Sequence, residues 1–173
     1  IESGRTQADM KIRPALPRDI VGISRLVDKH AQRGDVLPRS ESQIRATLSE
    51  WIVGTDAGEI AACASLLNYT PELAEVRSLI VDDRIKGQGW GATLLQMLIA
   101  RARRRGTPIL FALTRAEAFF KQAGFATTDR DRFPEKIWRD CDQCPVKDNC
   151  DEVAVELRIA DLPHLVQSRA SDD

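Results

Sequence analysis

Apolar residues recur along this chain at two spacings, and the switches between them mark out its elements. Met10, Lys11, Ile12 and Arg13 alternate as a short strand, closed by Pro14 and Pro17. Asp19 is expected in the first turn of a helix ending near His30, with Ile20, Ile23 and Val27 on its inner face and Leu26 beside them. A loop over 34–39 leads to Ser40, placed as an N-cap with Gln43 completing a capping box, ahead of the apolar pair Ile44 and Leu48. Residues 51–54 and 59–67 read as two strands of a hairpin turned by Asp56, Ala57 and Gly58, and residues 68–71 break the run. A strand over 74–81 feeds a glycine-rich turn and then a helix over 89–105 that buries Trp90, Leu94 and Leu98. Arg101, Arg103, Arg104 and Arg105 close this helix before Gly106, where cations complement its dipole. A buried strand over 108–113, a helix over 116–123 and a strand over 125–128 follow. After a long excursion, residues 152–158 alternate as a late strand. The order β-α-α-β-β-β-α-β-α-β-β predicts an α/β fold with a central mixed sheet flanked by about four helices.

Bulk properties narrow the class. A chain of 173 residues, 43% hydrophobic and 29% charged, is expected to form one soluble domain. Its domain is expected over 10–159, behind a disordered lead at 1–9 and ahead of a frayed tail at 160–173. A formal charge of −1 provides no electrostatic footprint for nucleic acid. No apolar run is long enough to span a bilayer, and the polar first residues lack the core of a signal peptide. The chain opens on Ile rather than Met, as a processed form or a piece of a longer polypeptide would. Four cysteines without a secretion signal point to a reducing, cytoplasmic setting.

Candidate chemistry begins where the 74–81 strand ends. Gly87, Gly89 and Gly91 alternate ahead of a helix, so backbone amides can approach an anion that the helix dipole also attracts. The spacing is G-x-G-x-G, not the G-x-G-x-x-G of a dinucleotide site, and no Gly-Lys-Ser/Thr ends it as in a triphosphate loop. It resembles the R/Q-x-x-G-x-G/A pyrophosphate loop of the GCN5-related N-acetyltransferases (GNAT). Arg84-x-x-Gly87-x-Gly89 matches literally. Lys86-x-x-Gly89-x-Gly91 is preferred, because its last glycine directly precedes Ala92, Thr93, Leu94 and Leu95, where that family's helix opens. Lys86 then stands where the family has Arg or Gln. Phe119, Phe120, Gly124 and Phe125 resemble the family's F-Y/F-x-x-x-G-F segment, and the element order agrees over about 10–159.

A narrower resemblance, to the acetyltransferase domain of N-acetylglutamate synthases of the short type, rests on five pieces. They run from Leu37 to Ser40, Ile60 to Ala64, Ala74 to Arg77, Leu113 to Arg115 and Phe133 to Lys136. What the resemblance implies is an acetyl-CoA-dependent amino-acid N-acetyltransferase, converting L-glutamate to N-acetyl-L-glutamate at the start of arginine biosynthesis. Acetyl-CoA would place its pantetheine along Leu79, Ile80 and Val81. Its pyrophosphate would rest on Lys86, Gly87, Gln88, Gly89, Trp90, Gly91, Ala92 and Thr93. Glu75 matches the synthases' glutamate, and a carboxylate there would take the proton from the attacking amine. Backbone amides near Leu79 and Ile80 would hold the oxyanion. The tyrosine that often helps the leaving thiolate is replaced by Phe119 or Phe120; the only tyrosine is Tyr69, so no general acid is assigned. Dimers are common in the family.

An acceptor with two carboxylates wants fixed guanidinium groups. Arg115 follows the fifth strand on the side where the sheet opens its crevice, Arg39 lies in the loop between the first helices, and Arg77 and Ser78 precede the glycine loop. A salt bridge at a helix start is the competing account of Arg115. For Glu75 it is pairing at the rim with Arg77 or Lys11. Within an excursion over about 130–151, Cys141-x2-Cys144-x5-Cys150 has thiolate spacing suited to a structural zinc or an iron–sulfur cluster. Cys63, His164, Asp151 or an external group would be the fourth ligand, and Trp138 an apolar anchor. Free thiols or an oxidised pair remain the alternative. Two other functions stay open: acetylation of a different amine, small or at a protein N-terminus, and a non-catalytic acyl-CoA or metal sensor.

Overall fold

The structure is a computed structural model that describes residues 11–134, 140, 141, 144 and 150–163. The lead at 1–9, most of the tail, Trp138 and His164 lie outside those residues. Strand β1 (Lys11–Pro14) is followed by helices α1 (Ile20–Gln32) and α2 (Glu41–Ala46). Strands β2 (Trp51–Asp56), β3 (Glu59–Thr70) and β4 (Leu73–Val81) then precede the long helix α3 (Trp90–Arg105). Strand β5 (Ile109–Thr114), helix α4 (Glu117–Gln122) and strands β6 (Ala126–Thr128) and β7 (Val153–Arg158) complete the order expected from the pattern. The seven strands form one mixed sheet, β1-β2-β3-β4-β5-β7-β6, in which only the β4–β5 pairing is parallel.

Several ends differ from the pattern, for local reasons. Asp19 closes a 3-10 turn at Pro17–Asp19 ahead of α1 instead of lying in its first turn. There its carboxylate accepts from Arg13 at 2.6 and 3.0 Å and from the Leu16 amide at 2.7 Å. Those bonds, the Arg13 guanidinium foremost, hold the Asp19 carboxyl below its ordinary range despite partial burial. Ser40 and Gln43 form the expected capping box. Strand β3 does not break at Asn68 but carries on to Thr70.

Side-chain alternation divides the core into two layers. On one face of the sheet, Ile20, Ile23, Val27 and Ile44 from α1 and α2 meet Trp51, Val53, Cys63 and Ile80. On the other, Leu94, Leu95 and Leu98 of α3 meet Ile52, Ala62, Leu66 and Val76. Gly54 permits a close approach there: a Cβ on it would lie 2.6 Å from the Trp90 ring, so this glycine seats the first residue of α3.

Strand β4 changes face partway along. Cys63 pairs with Ile80 and Ser65 with Arg77, so Ser78 and Leu79 together oppose a single residue of β3. This is a β-bulge, and Ser78 takes a φ of +52°, a left-handed conformation uncommon for a non-glycine. Before the bulge, Glu75 and Arg77 share the α1 face. After it, Ile80 takes that face while Leu79 and Val81 pack toward the α3 core. The β4–β5 register extends only from Leu73 and Ile109 to Glu75 and Phe111. Beyond that point the pairing of the two strands stops, on the side where β4 turns toward the glycine loop.

Candidate active site

The end of β4 leads into a 3-10 turn, Asp83–Ile85, anchored by buried Ile85. The Asp82 side chain caps the turn, accepting from the Arg84 amide at 3.0 Å and from Arg84 Nε at 3.1 Å. Asp83 pairs with Arg33 at 2.6 Å and Lys86 at 2.8 Å, which hold its carboxyl far below the usual range. Gly87 and Gly89 have φ of +77° and +88°, a region open to glycine at little cost. Helix α3 opens at Trp90 with Gly89 as its N-cap and no side-chain cap. Its first intrahelical bond runs from the Thr93 amide to the Gly89 carbonyl at 3.1 Å, and the Thr93 hydroxyl donates to the same oxygen at 3.0 Å. The amides left to an anion are therefore those ahead of Thr93, over 87–92.

The second half of the site is a cavity of about 260 Å³ beside β4. Its walls come from the 34–39 loop after α1, from residues 75–78 of β4, from Leu113 and Arg115 at the end of β5, and from Arg130, Cys141, Cys144, Cys150 and Glu152. Every arginine proposed from sequence for the acceptor reaches this cavity, although they come from parts of the chain far apart.

Glu75 is 2% exposed, and Tyr69 donates its hydroxyl to Glu75 Oε2 at 2.6 Å. It is buried rather than at the rim, and its charge bears on the neighbouring Arg77 guanidinium. Tyr69 was set aside with the expected chain break; the longer β3 instead places it on the same face as Glu75. Beneath the pair, Phe111 stacks on Phe133 with ring centroids 4.1 Å apart, and Tyr69 tilts against Phe111 at 5.8 Å. Burial, with Glu75 beside it, pushes the Tyr69 phenol well above its ordinary range.

Arg39 and Arg77 are each 90% buried as side chains. Asp140 sits between them: Arg39 donates to its two oxygens at 3.1 and 3.2 Å, and Arg77 lies 3.6 Å away. The Nε atoms of both arginines are buried without a hydrogen-bond partner among the described residues. Burial and then the neighbouring Arg39 pull the Arg77 guanidinium below its ordinary range, against the opposing pull of Glu75 and Asp140. Asp140 was not singled out from sequence, and nothing in its local pattern distinguishes it from the other acids of the excursion.

Arg115 differs from these two. Its side chain is half-exposed, donates to Asp151 at 2.6 Å and to the Gly34 carbonyl at 2.9 Å, and lies 3.8 Å from Glu152. It ties the 34–39 loop to the start of β7, a salt bridge at a strand start rather than at the helix start that was the competing account.

Zinc or an iron–sulfur cluster gains no support. Among the described residues, no three of His, Cys, Asp and Glu converge to hold a metal ion. Arg130 Nη2 lies 3.8 Å from Cys141 Sγ. Burial pulls its guanidinium down, but Cys150 and Cys141 outweigh that and leave it raised. A cation already stands where the metal was expected. Asp151 is engaged by Arg115, and Cys63 is buried on β3 in the layer packed by α1 and α2, its thiol donating to the Ser78 carbonyl at 3.6 Å.

Comparison with known proteins defines the class. Residues 24–125 match the Acetyltransferase (GNAT) family, and the chain belongs to it: it is an N-acetyltransferase of the GNAT type. It is 35% identical to an uncharacterized N-acetyltransferase of Chlorobaculum tepidum over 86% of this chain and 96% of that one. An amino-acid acetyltransferase of Neisseria meningitidis is 31% identical over 78% of this chain, which spans only 31% of that longer protein. N-acetylglutamate synthase from Neisseria gonorrhoeae, solved with coenzyme A and N-acetyl-glutamate, superposes with a TM-score of 0.77 at 27% identity, covering 89% of this chain and 36% of that one. The described residues include no helix long and apolar enough to cross a membrane.

Proposed function

We propose that this protein transfers the acetyl group of acetyl-CoA to the α-amino group of an amino acid, with L-glutamate as the acceptor. The observation that carries the reading is the pair Arg39 and Arg77, nine-tenths buried, each with an unpartnered Nε, in the cavity that also holds Glu75. Buried guanidinium donors without acceptors are costly unless a ligand satisfies them, and a carboxylate does so with charge-assisted bonds. The coenzyme A in the gonococcal synthase complex supports the donor, and the N-acetyl-glutamate there supports the acceptor.

Each part then has a task. The amides over 87–92 bind the pyrophosphate, and residues 79–81, turned by the bulge, border the pantetheine. The thioester lies where the β4–β5 pairing stops. Glu75 takes a proton from the acceptor's ammonium, because only the free amine has a lone pair to attack the carbonyl carbon. Tyr69 fixes the Glu75 carboxylate through its 2.6 Å hydrogen bond. Backbone amides at Leu79 and Ile80 hold the oxyanion until the C–S bond breaks and coenzyme A leaves as the thiolate, which takes up the second proton that the acylated nitrogen sheds. Arg39 and Arg77 hold the acceptor's carboxylate.

One observation favours a second reading of the acceptor. Asp140 already neutralises part of the guanidinium pair, and Glu152 lines the same cavity. An acceptor with one carboxylate, or a different amine, would suit that balance. Coenzyme A release, followed with glutamate against a panel of amino acids, polyamines and peptide N-termini, decides between them. Turnover fastest with glutamate is expected; indifference to every amino acid with rapid acetylation of a peptide would overturn the reading.

A further inference from the structure

Sulfur forms the remaining wall of the acceptor cavity. Cys141, Cys144 and Cys150 all line it, and all three are unbridged and partly exposed. Cys63 is set apart: it is fully buried, and burial alone pushes its thiol far up. The Cys144 amide donates to the Cys141 carbonyl at 3.1 Å. That bond joins residues three apart and holds their Cα atoms within about 7 Å. Disulfides span Cα separations of about 4.4–6.8 Å, so this bond brings the pair to bridging range. Arg130 against the Cys141 sulfur favours the thiolate, the nucleophilic form. Cys150 shares that Arg130 neighbour, and its thiol also donates to Glu152 Oε2 at 3.9 Å. Asp140, directly before Cys141, grips Arg39 and faces Arg77.

We propose that Cys141 and Cys144 form a dithiol modification site in the acceptor wall. Hydroperoxides oxidise it to a disulfide, and Asp140 carries the change to the arginine pair. The Cys141 thiolate attacks a peroxide oxygen; the O–O bond breaks, and the departing oxygen takes a proton to leave as alcohol, or as water from hydrogen peroxide. Cys141 is then a sulfenic acid. The Cys144 sulfur attacks it, the S–S bond forms, and the S–O bond breaks. Hydroxide leaves and takes up the Cys144 proton as water. Two thiols are oxidised and one hydroperoxide is reduced. The bridge ties the residue directly after Asp140 to Cys144, and so changes how Asp140 shares Arg39 and Arg77 with an acceptor carboxylate. The effect on the acceptor rests on the function proposed above, whereas the thiol chemistry stands apart from it.

The test treats the full chain with hydrogen peroxide, counts free thiols and maps the bridge by peptide mass spectrometry. Rates are then compared before oxidation, after it, and after dithiothreitol, with glutamate or whichever panel amine turns over. The expected result is a loss of two thiols, a Cys141–Cys144 bridge and an acceptor KM raised about tenfold. The acetyl-CoA KM stays within about twofold, and dithiothreitol restores both. C150S keeps the bridge. C144S loses it and leaves a Cys141 sulfenic acid that dimedone traps. A bridge to Cys150 in place of Cys144, or thiols that survive the oxidant, overturns the site. A mapped Cys141–Cys144 bridge with an unchanged acceptor KM overturns the coupling. Failure to acetylate glutamate overturns only the acceptor reading, because the mapped bridge reports independently of turnover.

Discussion

The donor loop and the acceptor cavity are built on opposite principles. The loop is one continuous stretch: bulge, capped turn, left-handed glycines and a helix N-terminus follow one another over 78–93. The cavity draws on the 34–39 loop, β4, the end of β5 and the excursion, so that Arg39 meets an aspartate 101 residues later. A contiguous anion site can be specified by backbone alone, because every residue brings an amide. A site that chooses among amines needs particular side chains at fixed separations, and only tertiary packing sets those. Donor recognition is therefore a local property of this chain and acceptor recognition a global one.

The largest effect expected on the cavity side is at Glu75. Glu75→Gln keeps the shape and the Tyr69 hydroxyl contact but removes the proton acceptor. We expect kcat to fall by roughly 10²–10³-fold with the acceptor KM nearly unchanged, and the rising limb of the pH–rate profile to disappear. A kcat within a few-fold of the parent, with that limb intact, would move the base elsewhere. Next is Arg77→Ala, expected to raise the acceptor KM by about 10- to 100-fold while acetyl-CoA binds as before. The substitution also leaves Asp140 with less compensation, so R77A/D140N separates lost recognition from a stranded buried charge. If both variants raised the two KM values equally, the division into donor and acceptor halves would fail.

How much could be read in advance follows the same division. The helix expected after the glycines runs from Trp90 to Arg105 with Gly89 as its N-cap, so Gly91 lies inside its first turn rather than directly ahead of its opening. The capping box at Ser40 and the turn at Ala57 and Gly58 were equally legible, because their chemistry lies within four residues. Tyr69 was missed because Asn68 and Pro71 read as a chain break, whereas β3 continues to Thr70 by pairing with β4. The bulge at Ser78 carries no local mark, since serine is a common residue on either side of a strand. Asp140 was illegible for a deeper reason: its meaning depends on which distant arginine it faces. The metal expected at the cysteines illustrates it, as the spacing suited a cation and Arg130, at the head of the same excursion, supplies one.

The donor half nevertheless has one long-range dependence, which sharpens the comparison. Gly54 on β2 gives Trp90 its seat, and a methyl there would meet the ring at 2.6 and 2.8 Å and Ala62 Cβ at 3.1 Å. Gly54→Ala is expected to cost about 1–2 kcal/mol of stability, read by denaturant unfolding. Because Trp90 opens α3, the displaced ring should also raise the acetyl-CoA KM by a few-fold and spare the acceptor KM. A shift confined to the acceptor KM would put Trp90 on the wrong side of the division.

The smallest effect separates a residue in the cavity wall from one that binds the acceptor. Arg115 lines the cavity as Arg39 and Arg77 do, but its side chain is 42% exposed, against 10% for each of them. Its fork is already filled by Asp151, Glu152 and the Gly34 carbonyl, and exposed ion pairs contribute little in water. Arg115→Ala should change the acceptor KM by less than about threefold. Its visible consequence should be looser anchoring of the 34–39 loop, read as faster amide exchange there. A rise in acceptor KM as large as that of Arg77→Ala would make Arg115 a third carboxylate ligand, one that releases Asp151 when the acceptor arrives. Salt distinguishes the two cases: a wall residue held by screened surface charges responds to ionic strength, whereas buried ligands do so far less.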